Sequence, residues 1–303
     1  MRADKIWMDG EFIDWDDANV HVTTHTLHYG LGVFEGIRCY KCADERSAIF
    51  MLDAHVDRLF DSAHIADLRI PFTREEIAAV CKEIVKKNGF DECYLRPLVF
   101  MGESQLGLYV KDFKVRVAIM AWVWGAYLGE EGLQNGIRAK VSSYLRHHVD
   151  SCMTKAKICG NYVNSIFAKR EAISLGFDEA IMLDTEGYVS EASGENIFVV
   201  KKNRIKTTPL TSVLPGITRA CVIRIARDLG YDLVEERFTR DELYTVDEAF
   251  FTGTAAEVTP IREVDGRVIG SGKPGPVTLA LQKKFFETAR GMHRQYEPWL
   301  TYL

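Results

Sequence analysis

Two segments, Lys157-Ile-Cys-Gly160-Asn161-Tyr162 and the later Glu191-Ala-Ser-Gly194-Glu195-Asn196, set an amine, a phenol and a carboxylate in one chain order. A lysine whose neutral amine is accessible can condense with an aldehyde to form an imine. A carboxylate further along can pair with a ring nitrogen and keep it protonated. Imine chemistry on a charged ring drains electrons from the atom attached to it.

Two turns downstream could cradle a phosphate. In Leu214-Pro215-Gly216-Ile217-Thr218-Arg219 a Pro-Gly turn delivers the chain into a helix, whose first amides point at its positive end. In Thr252-Gly253-Thr254-Ala255-Ala256-Glu257 a strand ends in small residues that let backbone amides come close to a ligand. Pro-Gly begins many helices and small residues fill many turns, so neither is specific alone. Their place downstream of Lys157 and Glu191 gives them weight. An aldehyde, a ring nitrogen and a phosphate occur together in pyridoxal phosphate, which uses its imine as an electron sink. No metal site is expected: Cys39-Tyr-Lys-Cys42 has no second pair, and His147-His148 reads as a solvent-facing loop pair.

These residues need a frame. A chain of 303 residues is long enough for two domains or one large α/β unit. Its 47% hydrophobic and 27% charged residues are the balance of a soluble globular enzyme. A formal net charge of −5 argues against a nucleic-acid or anionic-membrane partner. The charged start, Met1-Arg-Ala-Asp-Lys5, lacks the apolar core of a signal peptide. The longest apolar run, Val115 to Ala126, is too short to span a bilayer. Seven scattered cysteines without a secretion signal point to reduced thiols in the cytoplasm.

Apolar periodicity and turn residues then predict the elements. Residues 5–14 form a hairpin about Asp9-Gly10, 33–40 and 48–52 are strands, and 53–67 is a helix. Thr73-Arg-Glu-Glu76 opens a helix as a capping box and Gly89 closes it. Strands follow at 94–101 and 114–124, the second expected to be buried on both faces. Glycine-rich 125–132 is a candidate linker. Beyond it come a strand at 138–143, a helix at 161–174, a strand at 179–183 and short strands up to Lys206. A helix at 217–229, strands near 231–236 and 248–251, a hairpin about Asp265-Gly266 and a helix at 277–290 complete the chain. The expected architecture is α+β in two domains, 1–123 and 136–303, joined by an interdomain loop at 124–135, with the chemistry between them.

The motifs also carry a resemblance that runs nearly end to end. It covers His28-Tyr-Gly30, Phe34-Glu-Gly-Ile-Arg38-Cys-Tyr40, Arg58-Leu-Phe-Asp-Ser62, Tyr94-Leu-Arg96-Pro97 and Trp124-Gly-Ala-Tyr127-Leu-Gly129. It continues through the lysine and glutamate segments, both turns and Gly275-Pro-Val-Thr278. Together these resemble the branched-chain amino-acid aminotransferases, within the fold type IV group of pyridoxal-phosphate enzymes. The resemblance implies a D-amino-acid aminotransferase-like fold, with a small N-terminal α/β domain and a larger pseudo-barrel C-terminal domain that binds the cofactor. It implies transamination between L-leucine, L-isoleucine or L-valine and 2-oxoglutarate, giving L-glutamate and a branched 2-oxo acid. A homodimer, or a higher oligomer built from dimers, is implied with it.

Carried over by position, Lys157 would bond the cofactor aldehyde and move the proton at the substrate Cα; Lys155 lies out of register with Gly160-Asn-Tyr162. Tyr162 would hydrogen-bond the cofactor's phenolic oxygen, and Glu191, not the structural Glu195, would pair with its ring nitrogen. Arg58, Ile217, Thr218 and Thr254 would hold the phosphate. Phe34, Gly36, Tyr94, Trp124 and Tyr127 would line the substrate pocket with Tyr162, and Tyr29 and Leu108 would reach in from a partner subunit. The Thr254-Ala255 turn would take the α-carboxylate, and Arg96 the distal carboxylate of glutamate or 2-oxoglutarate. An arginine inside a strand, just before Pro97, itself asks for such a task. A D-amino-acid or (R)-amine aminotransferase, or an aminodeoxychorismate lyase, is the alternative on the same fold, which Tyr94-x-Arg96 and Gly36-Ile37-Arg38 resemble less. Residues 145–154 and 107–111 depart from the family pattern, which bears on substrate breadth.

Overall fold

A computed structural model describes residues 3–303 of the chain. The Asp9-Gly10 turn joins β1 (Lys5–Met8) to β2 (Glu11–Asp14), with both turn residues at positive φ, 51° and 110°. That backbone matches the twist of a tight hairpin. A short helix α1 (His25–Tyr29) stops at Gly30 in the left-handed region, φ 74°. The next predicted strands become β3 (Gly32–Phe34), β4 (Ile37–Lys41) and β5 (Ser47–Phe50). α2 (Leu52–Ile65) buries Val56, Leu59 and Ala63, the spacing of one helix face. α3 (Arg74–Lys87) opens on the capping box: Glu76 N donates to Thr73 Oγ1 at 3.2 Å, and Thr73 N donates to Glu76 Oε2 at 2.7 Å. β6 (Cys93–Met101) and β7 (Val115–Trp122) follow.

The glycine-rich stretch after Trp124 is not all loop, since α4 (Glu130–Asn135) forms within it. The chain continues through β8 (Ile137–Val141), α5 (Tyr162–Ser174), β9 (Glu179–Leu183), β10 (Val189–Ala192), β11 (Asn196–Lys201) and β12 (Arg204–Thr207). Then come α6 (Ile217–Asp228), β13 (Asp232–Glu235), α7 (Arg240–Leu243), β14 (Glu248–Gly253) and β15 (Glu257–Val264). β16 (Arg267–Val268), α8 (Pro276–Ala289) and β17 (Leu300–Tyr302) end it. The long elements lie where periodicity predicts them. α1, α7 and β17 are too short to carry a period and were not expected.

The chain forms two compact units: residues up to Trp124 with Ala156–Asn161 and Thr288–Leu303, and Gly125–Lys155 with Tyr162–Glu287. The expected division follows the chain in order, whereas these units interleave. β17 pairs antiparallel with β5, which returns the C-terminus to the first unit. The segment Ala156–Asn161 belongs there because its backbone pairs with β3 and the end of α1: Phe34 N donates to Lys157 O at 3.1 Å and Gly160 N to Gly30 O at 3.0 Å.

In the first unit the sheet runs β17-β5-β4-β6-β7-β1-β2, with β3 also on β6. Leu95, Val99, Val117, Ile119 and Ala121 point to one face and form the core with Leu59, Ile77 and Ile84 of α2 and α3. The other face of β7 is mixed: Ala118 is buried with Met8 and Phe100, whereas Arg116, Met120 and Trp122 are only partly buried. β7 is therefore buried along one face and only in part on the other, where its composition led us to expect burial on both. The second unit's sheet runs β10-β9-β8-β15-β14-β11-β12-β13, with β16 on β15. Ile197, Val199, Ala249 and Phe251 join one core with Ile137, Ile181 and Ile261. On the opposite face of the same strands Phe198 and Phe250 are register partners, fully buried and stacked with centroids 5.0 Å apart. Among the described residues no helix is long and apolar enough to cross a membrane.

Truncating such a pair leaves a cavity between two central strands. Phe250→Ala is expected to cost about 3–5 kcal/mol of stability, read as a lower unfolding midpoint in denaturant titration.

Candidate active site

The backbone around Lys157 is clamped on both sides. Lys157 N donates to Ser62 Oγ of α2 at 3.0 Å, its carbonyl accepts from Phe34 N, and its Nζ lies 4.8 Å from the Phe34 ring centroid. A Cβ on Gly30 would stand 3.0 Å from Gly160 Cα, so the two backbones meet where no side chain fits. Lys155 is occupied differently: its Nζ donates to the carbonyls of Leu210 and, at 3.0 Å, Val213. Its ammonium ties down a loop, a structural task.

Behind β3 sits a charge cluster that the sequence analysis did not foresee. Arg58 grips the Glu35 carboxylate with two parallel hydrogen bonds, Nε to Oε1 at 2.7 Å and Nη2 to Oε2 at 2.9 Å. His55 Nδ1 lies 2.7 Å from Oε2, and Gly36 N donates to the same oxygen at 3.2 Å. Glu35 and His55 are buried. Burial raises the Glu35 pKa, but the charges of Arg58 and His55 and their hydrogen bonds outweigh it and hold the carboxyl well below its usual range. Burial also pushes His55 down, against the pull of Glu35. An ionised carboxylate only accepts, so His55 must carry its proton on Nδ1 and donate. The fork fixes the Arg58 guanidinium in orientation.

A third group occupies the partly exposed face of β6 and β7. The Tyr94 hydroxyl lies over Gly36, where an added Cβ would come within 1.8 Å of it. Tyr94 packs edge-on against Trp124, centroids 4.8 Å apart, and lies 5.1 Å from Trp122. Arg96 Cζ sits 4.7 Å from the Phe34 centroid, 5.5 Å from Tyr94 and 5.7 Å from Trp122. Its Nε is buried with no hydrogen-bond partner among the described residues. Arg38 Nη1 donates to the Trp124 carbonyl at 3.3 Å. Tyr29 and Leu108, also in this unit, are 43% and 92% exposed.

The second unit holds Tyr127, Tyr162, Glu191, Ile217, Thr218, Thr254 and Ala255. Glu191 on β10 is buried and accepts from Asn196 Nδ2 at 3.1 Å and Leu214 N at 3.2 Å. Arg146 Nε stands 2.7 Å from its Oε1, an ion pair rather than an aligned hydrogen bond. Asn196 Nδ2 also donates to the Leu214 carbonyl at 3.1 Å. A Cβ on Gly216 would lie 1.9 Å from Asn196 Oδ1, so only glycine fits before α6. No side chain caps that helix, which begins with buried Ile217 and Thr218. Thr254 and Ala255 sit in the turn between β14 and β15, beside a buried Thr252 hydroxyl without a partner among the described residues. Tyr162 is the first residue of α5. The His147-His148 pair is not uniformly solvent-facing: His148 is exposed, but His147 is half-buried, and burial with the neighbouring Arg146 pushes its pKa down to about 4.

The residues missed from sequence were Glu35, His55, Asn196, Arg146 and Trp122. Glu35 and Asn196 lay inside motifs already singled out, where a carboxylate and an amide that cannot stay dry alone were signals to seek partners. Arg146 and Trp122 gave no such signal, since only tertiary placement brings them to their partners.

Because the Glu35 carboxyl is held below its unfolded value, its pairing stabilises the fold above about pH 4.3 and is lost as pH falls from there. Glu35→Gln is expected to cost about 3 kcal/mol at pH 7 by taking the carboxylate from a partly buried guanidinium. The gap to the parent should narrow as pH falls below about 4. Urea unfolding at pH 7, 5 and 3.5 checks both.

Residues 32–264 match the family described as amino-transferase class IV. Over 300 residues the chain is 55% identical to a branched-chain-amino-acid aminotransferase of Pseudomonas aeruginosa, covering 99% of this chain and 97% of the relative. It is 43% identical over 301 residues to that of Escherichia coli K12, covering 99% and 97%. Among solved structures, a T.th. branched-chain amino acid aminotransferase with pyridoxamine 5'-phosphate aligns with a TM-score of 0.96 and 48% identity, over 100% of this chain and 99% of that one. The Escherichia coli enzyme aligns with a TM-score of 0.97 and 43% identity, over 99% of each. These relatives bear out the expected α+β fold and do not favour the D-amino-acid, (R)-amine or lyase alternatives. The chain belongs to the class IV aminotransferases and, within them, to the branched-chain-amino-acid aminotransferases.

Proposed function

We propose that this enzyme transfers the amino group of L-leucine, L-isoleucine or L-valine to 2-oxoglutarate with pyridoxal phosphate as cofactor, using the residues assigned below. One observation carries the substrate reading: Arg96 holds a cation among Phe34, Tyr94 and Trp122, with a buried Nε that has no acceptor among the described residues. Phe34 and Tyr94 give an apolar wall for a branched side chain, and the guanidinium beside them, against which Trp122 packs, receives a carboxylate. A pocket of this kind suits alternate aliphatic and dicarboxylic substrates.

The cofactor fits the residues present. A buried carboxylate at Glu191, a glycine-started helix at Gly216 and an oriented guanidinium at Arg58 answer to a ring nitrogen and a phosphate. When bound, pyridoxal phosphate supplies an electron sink for the pair left on the substrate Cα. Lys157 is the residue we assign to hold the cofactor and to carry the proton at that Cα, supported by its clamped backbone and by the engagement of Lys155 elsewhere. Glu191 faces the ring nitrogen in this reading, with Asn196 and Arg146 holding its orientation. Arg58, the Ile217 and Thr218 amides and Thr254 hold the phosphate, Tyr162 the phenolic oxygen, and the Thr254-Ala255 turn the α-carboxylate.

Gly36 leaves room for the Tyr94 hydroxyl beside Phe34, and Trp124 and Tyr127 extend the apolar wall. Tyr29 and Leu108, both exposed on their own chain, are assigned to the pocket of a second copy, which makes a homodimer part of the reading. Seven free cysteines support a cytoplasmic setting.

Lys157→Ala is expected to lower transamination of L-leucine by about a thousandfold or more, with an unchanged far-ultraviolet circular dichroism spectrum. Near-parent turnover in that variant would remove the assignment. Arg96→Ala is expected to raise the KM for 2-oxoglutarate about tenfold to a hundredfold, the worth of a charge-assisted pair. The KM for L-leucine should move by less than about threefold, because a branched side chain makes no such pair. Steady-state kinetics with each substrate varied in turn distinguish the two.

A further inference from the structure

Strand register brings to Arg96 a residue outside the expected pocket set. Tyr94 on β6 pairs directly with Trp122, the last residue of β7, so the two side chains stand next to each other on the face that also carries Arg96. The Trp122 ring lies 5.1 Å from Tyr94 and 5.7 Å from Trp124, and its centroid is 5.7 Å from Arg96 Cζ. With Phe34 at 4.7 Å and Tyr94 at 5.5 Å, aromatic rings approach this guanidinium from three residues. Ring quadrupoles attract a cation without taking up its N–H donors. A guanidinium held in this way keeps those donors for an incoming acceptor. An aliphatic side chain at position 122 would give Arg96 less attraction and more water, and a carboxylate would then have to displace that water.

We propose that Trp122 is a positioning residue that holds Arg96 for the distal carboxylate of the dicarboxylic substrate and thereby sets the enzyme's preference between dicarboxylic and aliphatic partners. This rests on the role given to Arg96 above. Trp122 acts through the guanidinium. A tryptophan that only packed against Tyr94 would affect both substrate classes alike.

The test uses the cofactor-loaded enzyme and the variants Trp122→Leu, Trp122→Phe, Arg96→Ala and the double variant Trp122→Leu/Arg96→Ala. Loss of one cation–π contact at a half-buried site corresponds to about fivefold in binding. Trp122→Leu should therefore raise the KM for 2-oxoglutarate by about that factor, while kcat and the KM for L-leucine stay within about twofold. Trp122→Phe, which keeps an aromatic face, should restore most of the loss. Adding Trp122→Leu to Arg96→Ala should cost nothing further for 2-oxoglutarate. Calorimetric titration with glutarate, which has no reacting carbonyl, should show the same split without turnover.

Equal effects of Trp122→Leu on both substrates, no effect on either, or a further loss in the Arg96→Ala background would each overturn the proposal. Equal losses for both substrates in Arg96→Ala alone would instead bring down the reading of Arg96 on which it rests. If the leucine variant does not fold, Trp122→Met removes the aromatic face with a flexible side chain that adapts to the space left, and reads the same split.

Discussion

The backbone of Lys157, the lysine we assign to the cofactor, is held in place by hydrogen bonds on both sides. Residues 156–161 are held to the rest of the first unit by hydrogen bonds that include Phe34 N to Lys157 O, Gly160 N to Gly30 O, and Lys157 N to Ser62 Oγ. The glycine pair allows the two backbones to approach, and Ser62 projects from a helix that is itself locked into the core through Val56 and Leu59. A lysine side chain is long and loses much rotamer freedom when ordered. With the backbone already anchored, only that side-chain freedom is left to be lost when a ligand is engaged. Phe34, whose amide makes one of these contacts, also places its ring 4.8 Å from Lys157 Nζ.

The charged groups follow one rule. Each buried charge in the machinery is either matched or surrounded by something that tolerates it. Arg58 is matched by Glu35, whose carboxylate is held ionised by that fork and by His55. Glu191 is matched by Arg146 and by two hydrogen bonds. A buried pair of this kind adds little net stability, since desolvation offsets attraction, but it fixes orientation. Arg96 is the exception, with aromatic faces in place of a carboxylate. In the role we propose for Arg96, a fully paired arginine could not take up and release a substrate carboxylate at low cost.

Asn196 joins two parts of the second unit. Its amide donates both to Glu191 and to the carbonyl of Leu214, and its oxygen occupies the space that a side chain at 216 would need. The carboxylate on β10 and the approach to α6 are thereby held in one geometry by this side chain together with the Leu214 N–H that donates to Glu191. Such a residue acts on a site through its neighbours, and its loss would disturb both at once.

Much of this was legible in the chain itself. Hairpin, capping box and long helices arose from local rules, because Asp9-Gly10, Thr73 with Glu76, and the apolar spacing of α2 act over a few residues. Motif order carried the family and the chemistry, since Lys157, Glu191 and the two turns need only appear in sequence to be recognised. Tertiary structure alone decided which face of β7 is covered, where β17 returns, and which residue pairs with which. Composition could not distinguish a strand buried on both faces from one whose Trp122 stands beside Arg96, because that depends on register with β6. Nor could it link Glu35 to Arg58 or Arg146 to Glu191, for partners far apart in sequence meet only when the packing of helices and strands brings them within reach.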